Sequence, residues 1–418
     1  MAKPILLKSA TEVLESILAG KVPADRVMDD YFRAHRNMGV RDRGFVAETV
    51  YGCLRERYWL EHVAGHSLPL DIVAAYLLTH GYSARALEET GFRGNARDMA
   101  ERARTVDRSS LPFSVRANLP DWLAQPLRAQ FGDEETLVLA QALNQPAPVD
   151  LRVNTIKADR EEVQTRLTQE GFPCVPTPYS PMGLRREDRA PLFKTQCFKD
   201  GLFEIQDEGS QLLSLMLEPK RREMIVDFCA GAGGKTLHLG ALMANSGTVY
   251  AFDVSAKRLA KLKPRLRRAG LDNVRMVSIS HERDARVQRL KGKIDRVLVD
   301  SPCSGTGTLR RNPDIKWRTI DLNELVETQQ RILAAAAELL KPGGRLVYAT
   351  CSLLREENDD IVEKFLAAHP EFSVVPAGEI LARRHVPLTM HDAALRLYPH
   401  RHRTDGFYAV ALEKKQGQ

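Results

Sequence analysis

No apolar run in the 418-residue chain approaches the roughly twenty residues needed to span a bilayer, and residues 1–10 lack the apolar stretch of a secretory signal. A cytoplasmic protein is therefore expected. No CxxC pair occurs either. The six cysteines, Cys53, Cys174, Cys197, Cys229, Cys303 and Cys351, are dispersed, which argues against both a zinc site and a disulfide framework. They are expected to be reduced thiols, each by default a small buried apolar side chain. Internal repeats and low-complexity tracts are also missing. The cluster His400, Arg401, His402, Arg403 has no acid or thiol at ligand spacing, so it reads as a surface or phosphate contact and no metal is expected.

What is present suits a globular protein with a polyanionic partner. Hydrophobic residues make up 43% and charged residues 28%, enough for packed cores and too apolar for a mainly disordered chain. A net charge of +7 favours nucleic acid first and an anionic membrane surface second. The length implies more than one core, and three segments are expected: 1–145, 146–212 and 213–418. In the first, Val46, Val50, Leu54 and Tyr58 form one apolar helical face. Arg41, Arg43, Arg55 and Arg57 lie on or near that helix and read as a solvated face or as RNA contacts. Two prolines, Pro146 and Pro148, then break any helix. Strands over 149–153 and 203–205, with a helix from Arg160 to Glu170 stopped by Gly171, indicate a small α+β module.

Beyond Gln211, short apolar runs alternate with helical segments, the pattern of a mostly parallel sheet covered on both faces. Strands are expected over 225–228, 248–253, 274–279, 296–299 and 345–349, with ligands bound beyond their carboxyl ends. Directly after the first comes Cys229, Ala230, Gly231, Ala232, Gly233, Gly234, Lys235, Thr236, a turn that lets the backbone approach a ligand, with a helix beginning near Lys235. Asp253, 19 residues after Gly234, ends the second strand, where a carboxylate can accept both hydroxyls of an adenosine ribose. A phosphate-binding P-loop is disfavoured because its first glycine is absent. On these residues alone NAD and S-adenosylmethionine both remain open.

The chemistry downstream separates them. The fourth strand runs into Asp300, Ser301, Pro302, Cys303, Ser304, Gly305, and the fifth into Thr350, Cys351, Ser352. Both cysteines fall in loops at the ligand-binding edge, where a packing role is less expected. Methylating carbon 5 of cytosine requires a nucleophile, because thiolate addition at carbon 6 turns the ring into a carbanion able to take a sulfonium methyl. A base must then remove the carbon 5 proton so that the thiolate can leave. Two thiols and Asp300 suit these steps. Cations that favour thiolate are sought in Arg310, Arg311, Lys316 and Arg318, and in the run Lys257 to Arg268, seven basic residues without an acid, whose plain alternative is a solvated helix face.

These motifs resemble the RsmB/Sun family of RNA 5-methylcytosine methyltransferases, over nearly the whole chain and most specifically from Phe203 to Asp360. The turn from Cys229 to Thr236 is similar to the family's S-adenosylmethionine loop, although Ala232 stands where the family usually has proline. The stretch Asp300 to Gly307, with Asn312, Pro313, Asp314, Lys316, Trp317 and Arg318, resembles its second-cysteine motif. Thr350, Cys351, Ser352, Glu357 and Asn358 resemble its nucleophile motif, and Thr404, Asp405, Gly406, Phe407 its last strands. The resemblance implies an α/β Rossmann-like class I methyltransferase domain, preceded by an RNA-recognition-like α+β module and an all-α NusB-like domain. It implies that Cys351 attacks the base and Cys303 assists release of the enzyme, with S-adenosylmethionine as cofactor and structured RNA, by analogy small-subunit ribosomal RNA, as partner. Asp284 is taken as the third cofactor acid, with Glu282 as its competitor. A monomer is expected. Three other readings stay in view: a non-catalytic RNA-binding or ribosome-assembly factor that keeps the fold, methylation of tRNA, and an NAD-dependent dehydrogenase, which leaves both strand-end cysteines unexplained.

Overall fold

The computed structural model describes residues 4–20, 22–390 and 392–416. The chain packs as two compact units, one of residues 1–146 together with 308–320, the other of 147–307 together with 321–418.

The first unit is helical. Its longest helices are Val40–Ala64 and Asp121–Leu143. Val46, Val50 and Leu54 have no solvent exposure, so the four-residue spacing does mark the core face. The basic residues divide. Arg41 is exposed, whereas Arg55 is buried and donates to the Arg310 carbonyl at 3.0 Å, and Arg57 pairs with Glu61 at 2.7 Å. Residues 308–320, read in the sequence as part of the 213–418 segment, belong to this unit. Their helical turn Pro313–Trp317 buries Lys316, whose ammonium donates to the Arg55 carbonyl (2.8 Å), the Asn118 carbonyl (2.9 Å) and Asn144 Oδ1 (2.8 Å). Trp317 Nε1 donates to the Leu54 carbonyl at 2.8 Å, and Asp314 accepts from the Ala24 amide at 3.0 Å.

The second unit contains two sheets. Strands β1 (Val149–Val153), β2 (Val175–Pro176), β3 (Gly183–Arg186) and β4 (Phe203–Ile205) form an antiparallel sheet in the order β2-β3-β1-β4. The helix Arg160–Gln169 lies beside it in sequence, and Gly171 follows with a left-handed φ of 85°. The large sheet comprises β5 (Met224–Asp227), β6 (Thr248–Asp253), β7 (Val274–Ser278), β8 (Ile294–Asp300), β9 (Leu340–Thr350), β10 (Phe372–Val375), β11 (Leu395–Leu397) and β12 (Phe407–Lys414). Its order is β10-β12-β9-β8-β5-β6-β7, with β11 on β12. Strands β5 to β9 are parallel, and β12 runs antiparallel beside β9. A parallel strand covered on both faces should be apolar throughout, and Val297, Leu298 and Val299 of β8 are all fully buried. Leu298 and Val347 pack into one apolar cluster, while Val297, Val299, Leu346 and Tyr348 pack into another on the opposite face.

The small sheet and the large one share a core. Leu151, Val163, Leu184 and Phe203 join Leu212, Leu213, Ile225 and Leu298 in one cluster, so residues 146–212 and 213–418 pack together. Among the described residues no helix is long and apolar enough to cross a membrane.

Candidate active site

The carboxyl ends of β5, β6, β8 and β9 open onto a cavity of about 700 Å³, within the roughly 300–1,000 Å³ range of small-molecule sites. Its wall includes Cys229, Ala230, Gly231, Ala232, Gly234, Lys235, Asp253, Glu282, Asp300, Cys303 and Cys351. The geometry follows from where each strand stops. After Asp227 the chain turns sharply through Gly231 (φ 58°) and Gly233 (φ 86°), and the helix Gly234–Leu242 begins. Both angles are left-handed, which L side chains rarely adopt. A Cβ on Gly233 would stand 2.2 Å from Leu262 Cδ1, whereas at Gly231 it would meet nothing within 4 Å. Gly233 thus secures close packing behind the turn, and Gly231 faces open space.

Asp253 is buried at the end of β6. Its carboxylate accepts from the Gly231 amide at 2.8 Å and the Ser255 amide at 2.7 Å, and pairs with Arg258 at 3.0 Å. Asp300, at the end of β8, accepts from the Lys235 ammonium at 2.7 Å. Burial works against the Lys235 charge, but Asp300, with a smaller contribution from Cys351, holds its pKa above the ordinary lysine range. Behind the turn, Asp227 is fully buried. One of its oxygens takes the Thr236 hydroxyl at 2.7 Å and the other is unpartnered. Burial, with the nearby Asp300 carboxylate, pushes the Asp227 carboxyl up to about 7.

The two cysteines meet here. Cys303 Sγ and Cys351 Sγ are 3.4 Å apart on the cavity wall. The hydrogen bond to Cys351, reinforced by burial, holds the Cys303 thiol well above its ordinary range. Their loops are locked by Glu357, which is fully buried. Its carboxylate accepts from the Ser304 amide (2.8 Å), the Ser304 hydroxyl (2.5 Å), Gln329 Nε2 (3.0 Å) and the Ser352 hydroxyl. Thr306 Oγ1 accepts from the Leu353 amide at 2.9 Å, and the Gly307 amide donates to the Cys351 carbonyl at 2.9 Å.

Two expectations need correction. Asp284 does not line the cavity. Its oxygens accept from the Ser280 amide (2.9 Å) and the Arg286 amide (2.9 Å) and cap the helix Ala285–Gln288, whereas Ser280, His281 and Glu282 do reach the wall. Nor do Arg310, Arg311, Lys316 and Arg318 line it, since they belong to the helical unit. Of the basic run, only Arg258 lines the cavity. Arg265 and Arg268 are bound to Glu204, and Lys257, Lys261, Lys263 and Arg267 are exposed. The ammonium at the cysteines is Lys235. Gln206, Ser210, Thr328 and Ile332 also line the wall, unannounced by any motif, because packing of distant segments brings them there.

Comparison with known proteins agrees with this arrangement. Residues 214–413 match the family model described as 16S rRNA methyltransferase RsmB/F, and residues 119–192 match the RsmF/B-like ferredoxin-like domain. The chain is 30% identical over 414 residues to a Bacillus subtilis protein named "Probable ribosomal RNA small subunit methyltransferase B", covering 90% of this chain and 91% of that one. It is 34% identical over 315 residues to a protein of the same name from Synechocystis, covering 74% and 70%. The chain belongs to the RsmB/F family of 16S rRNA methyltransferases. A crystal structure of a methyltransferase homologue from Pyrococcus horikoshii superimposes with a TM-score of 0.62 at 30% identity, covering 74% of this chain and all of that one. The crystal structure of PH0851 covers 99% of both chains, with a TM-score of 0.78 at 27% identity. The Rossmann-like sheet is therefore the methyltransferase core of an RsmB/F member.

Proposed function

We propose that the protein transfers a methyl group from S-adenosylmethionine to carbon 5 of a cytosine in small-subunit ribosomal RNA, with Cys351 as nucleophile. The observation that carries this reading is the pair of thiols 3.4 Å apart at the wall of the cavity that begins at the glycine turn. In this reading residues 1–145 and 146–212 hold the RNA and residues 213–418 hold the donor and the base.

The residues present fit the cofactor. The Gly231 backbone offers an approach with no side chain in the way, and the buried Asp253 supplies a carboxylate at the end of β6 for ribose hydroxyls. Cys229, Ala230, Ala232, Gly234 and Lys235 complete that side of the wall. S-adenosylmethionine, when bound, supplies an electrophilic sulfonium methyl.

The protein's own groups perform the remaining steps. The Cys351 sulfur, reacting as the thiolate after its proton has passed to solvent, donates an electron pair to carbon 6, a C–S bond forms, and the displaced π electrons reside on carbon 5. Once carbon 5 carries the methyl group, its proton must leave. The electrons of that C–H bond then restore the double bond while the C–S bond breaks and the sulfur recovers its pair. Asp300 is an acceptor near the thiols, and Lys235 neutralises it. Cys303, held protonated by its neighbour and by burial, can donate to the departing Cys351 thiolate. A cytosine must leave its stack to reach the thiols, so unpaired or locally melted sites should be preferred.

Unmodified 16S rRNA incubated with labelled methyl donor tests the reading. Labelled 5-methylcytosine formed by the wild type and absent with Cys351→Ala supports it. Label in another nucleotide, or full activity of Cys351→Ala, overturns it.

A further inference from the structure

A second cavity, of about 340 Å³, lies wholly within the helical unit. Its lining is mostly polar: Glu56, Arg108, Ser109, Arg116, Asn118, Gln141, Asn144 and Gln145 stand around Trp59 and three aliphatic side chains. Its volume suits one nucleotide rather than a larger ligand.

Its groups are arranged to meet a base and a phosphate. The Arg108 guanidinium lies over the Trp59 ring, 3.8 Å from the ring centroid, with the Glu56 carboxylate of the same cavity near enough to attract it. One face of that planar cation is covered by the indole, and because Arg108 is exposed the other is available to stack on an unpaired base. Trp59 is 1% exposed, so the ring beneath Arg108 is held firmly in the core of the helical unit. Asn118 is held by two bonds, its Oδ1 accepting from the Trp59 amide at 3.0 Å and its carbonyl from Lys316, so its position on the wall is rigid. The carboxamides of Gln141 and Gln145 are exposed at the same wall and can pair with donors and acceptors on a base edge. Arg116, also exposed, adds a second guanidinium for a phosphate.

We infer that this cavity binds one unstacked nucleotide of the RNA substrate, at a site separate from the methyl-transfer cavity. Stacking on Arg108 and pairing with Gln141 and Gln145 hold its base, while Arg116 holds its phosphate. The inference rests on the reading of RNA as substrate.

The test uses the full chain and unmodified 16S rRNA carrying 4-thiouridine or 6-thioguanosine, with photo-cross-linked peptides mapped by mass spectrometry. Cross-links within residues 108–118 or 137–145 are expected. Arg108→Met and, separately, Gln145→Leu should each raise KM for the RNA by about tenfold and leave both kcat and KM for the methyl donor unchanged. Methylation with cross-links confined to residues 147–307 or 321–418, or an unchanged KM for RNA in both variants, overturns the nucleotide site alone. Absence of both methylation and any cross-link overturns the RNA reading and this inference with it.

Discussion

The sulfur atoms of Cys303 and Cys351 lie 3.4 Å apart although 48 positions separate them in the chain. The sheet creates this proximity: β8 and β9 are parallel neighbours with Asp300 opposite Ala349, so the loops that follow them leave from the same edge. A thiol at the end of each strand then faces one cavity. If Cys351 forms the bond to carbon 6 and Cys303 assists its cleavage, removing Cys303 should stop the cycle after bond formation. Cys303→Ala is expected to accumulate a protein–RNA adduct that survives denaturing electrophoresis, and the Cys303→Ala/Cys351→Ala double variant to form none. An adduct in the double variant would place the nucleophile elsewhere.

Glu357 gathers four donors from three segments: the Ser304 loop, the Ser352 loop and Gln329 on the helix Leu322–Ala337. With Glu357→Ala the buried Ser304 amide loses its acceptor, Gln329 Nε2 keeps only its bond to the Pro302 carbonyl, and the two cysteine loops lose their common anchor. The expected loss is about 3 kcal/mol of stability, since each buried unsatisfied group costs about 1–3 kcal/mol. Glu357 does not line the cavity, so its effect should be positional. Single-turnover methylation should slow by roughly a hundredfold with KM for the methyl donor unchanged, because small misplacements of reacting groups are costly. Glu357→Gln, which keeps one carbonyl acceptor, should recover part of the rate. Equal loss in kcat and in donor binding would instead indicate general disruption of the cavity.

Much of this site was legible in the sequence, for definite physical reasons. Buried parallel strands read as continuous apolar runs, so β5, β6, β8 and β9 could be located, and with them the glycine turn, Asp253, Asp300 and both cysteines at their ends. Strand β3 carries Arg185 and Arg186, which interrupt any apolar run, so it did not announce itself. The sequence alone did not separate Asp284 from Glu282. An aspartate just before a short helix is an N-cap, and Asp284 takes that position while Glu282 reaches the cavity wall. The location of Lys316 was not legible at all. A lysine in a basic stretch near Cys303 reads as a cation for that site, and only tertiary packing shows it enclosed by three oxygens of the helical unit.

That enclosure yields a prediction about stability. Lys316 has no carboxylate partner within its bonding set, and burial, aided by repulsion from Arg55, pulls its pKa well below the ordinary lysine range. Lys316→Ala leaves a cavity and three buried oxygens without a donor, and should destabilise the protein by about 3 kcal/mol or more. Lys316→Met fills the space and removes the desolvated ammonium, so it should cost less. Thermal unfolding of both variants checks the order. A methionine variant less stable than the alanine one would mean that volume is not what the site requires.

Asp227 offers the clearest dependence on pH. Burial and the neighbouring Asp300 raise its carboxyl to about 7, against an ordinary value of about 4 in the unfolded chain. Between these values the folded protein retains a proton that the unfolded chain has released. The folded state therefore binds more protons, and this group's contribution to stability falls as pH rises from about 4 to about 7, then levels off. In Asp227→Asn the Thr236 hydroxyl can still donate to the amide oxygen, but no proton is bound or released. The variant should match the wild type near pH 4 and exceed it by an amount of the order of 3 kcal/mol above pH 7, because a three-unit shift corresponds to about 4 kcal/mol at most. Chemical denaturation of both proteins across this range measures the difference directly, with the other titrating groups common to both. A difference that stays constant with pH would mean that Asp227 is ionised in the folded protein throughout.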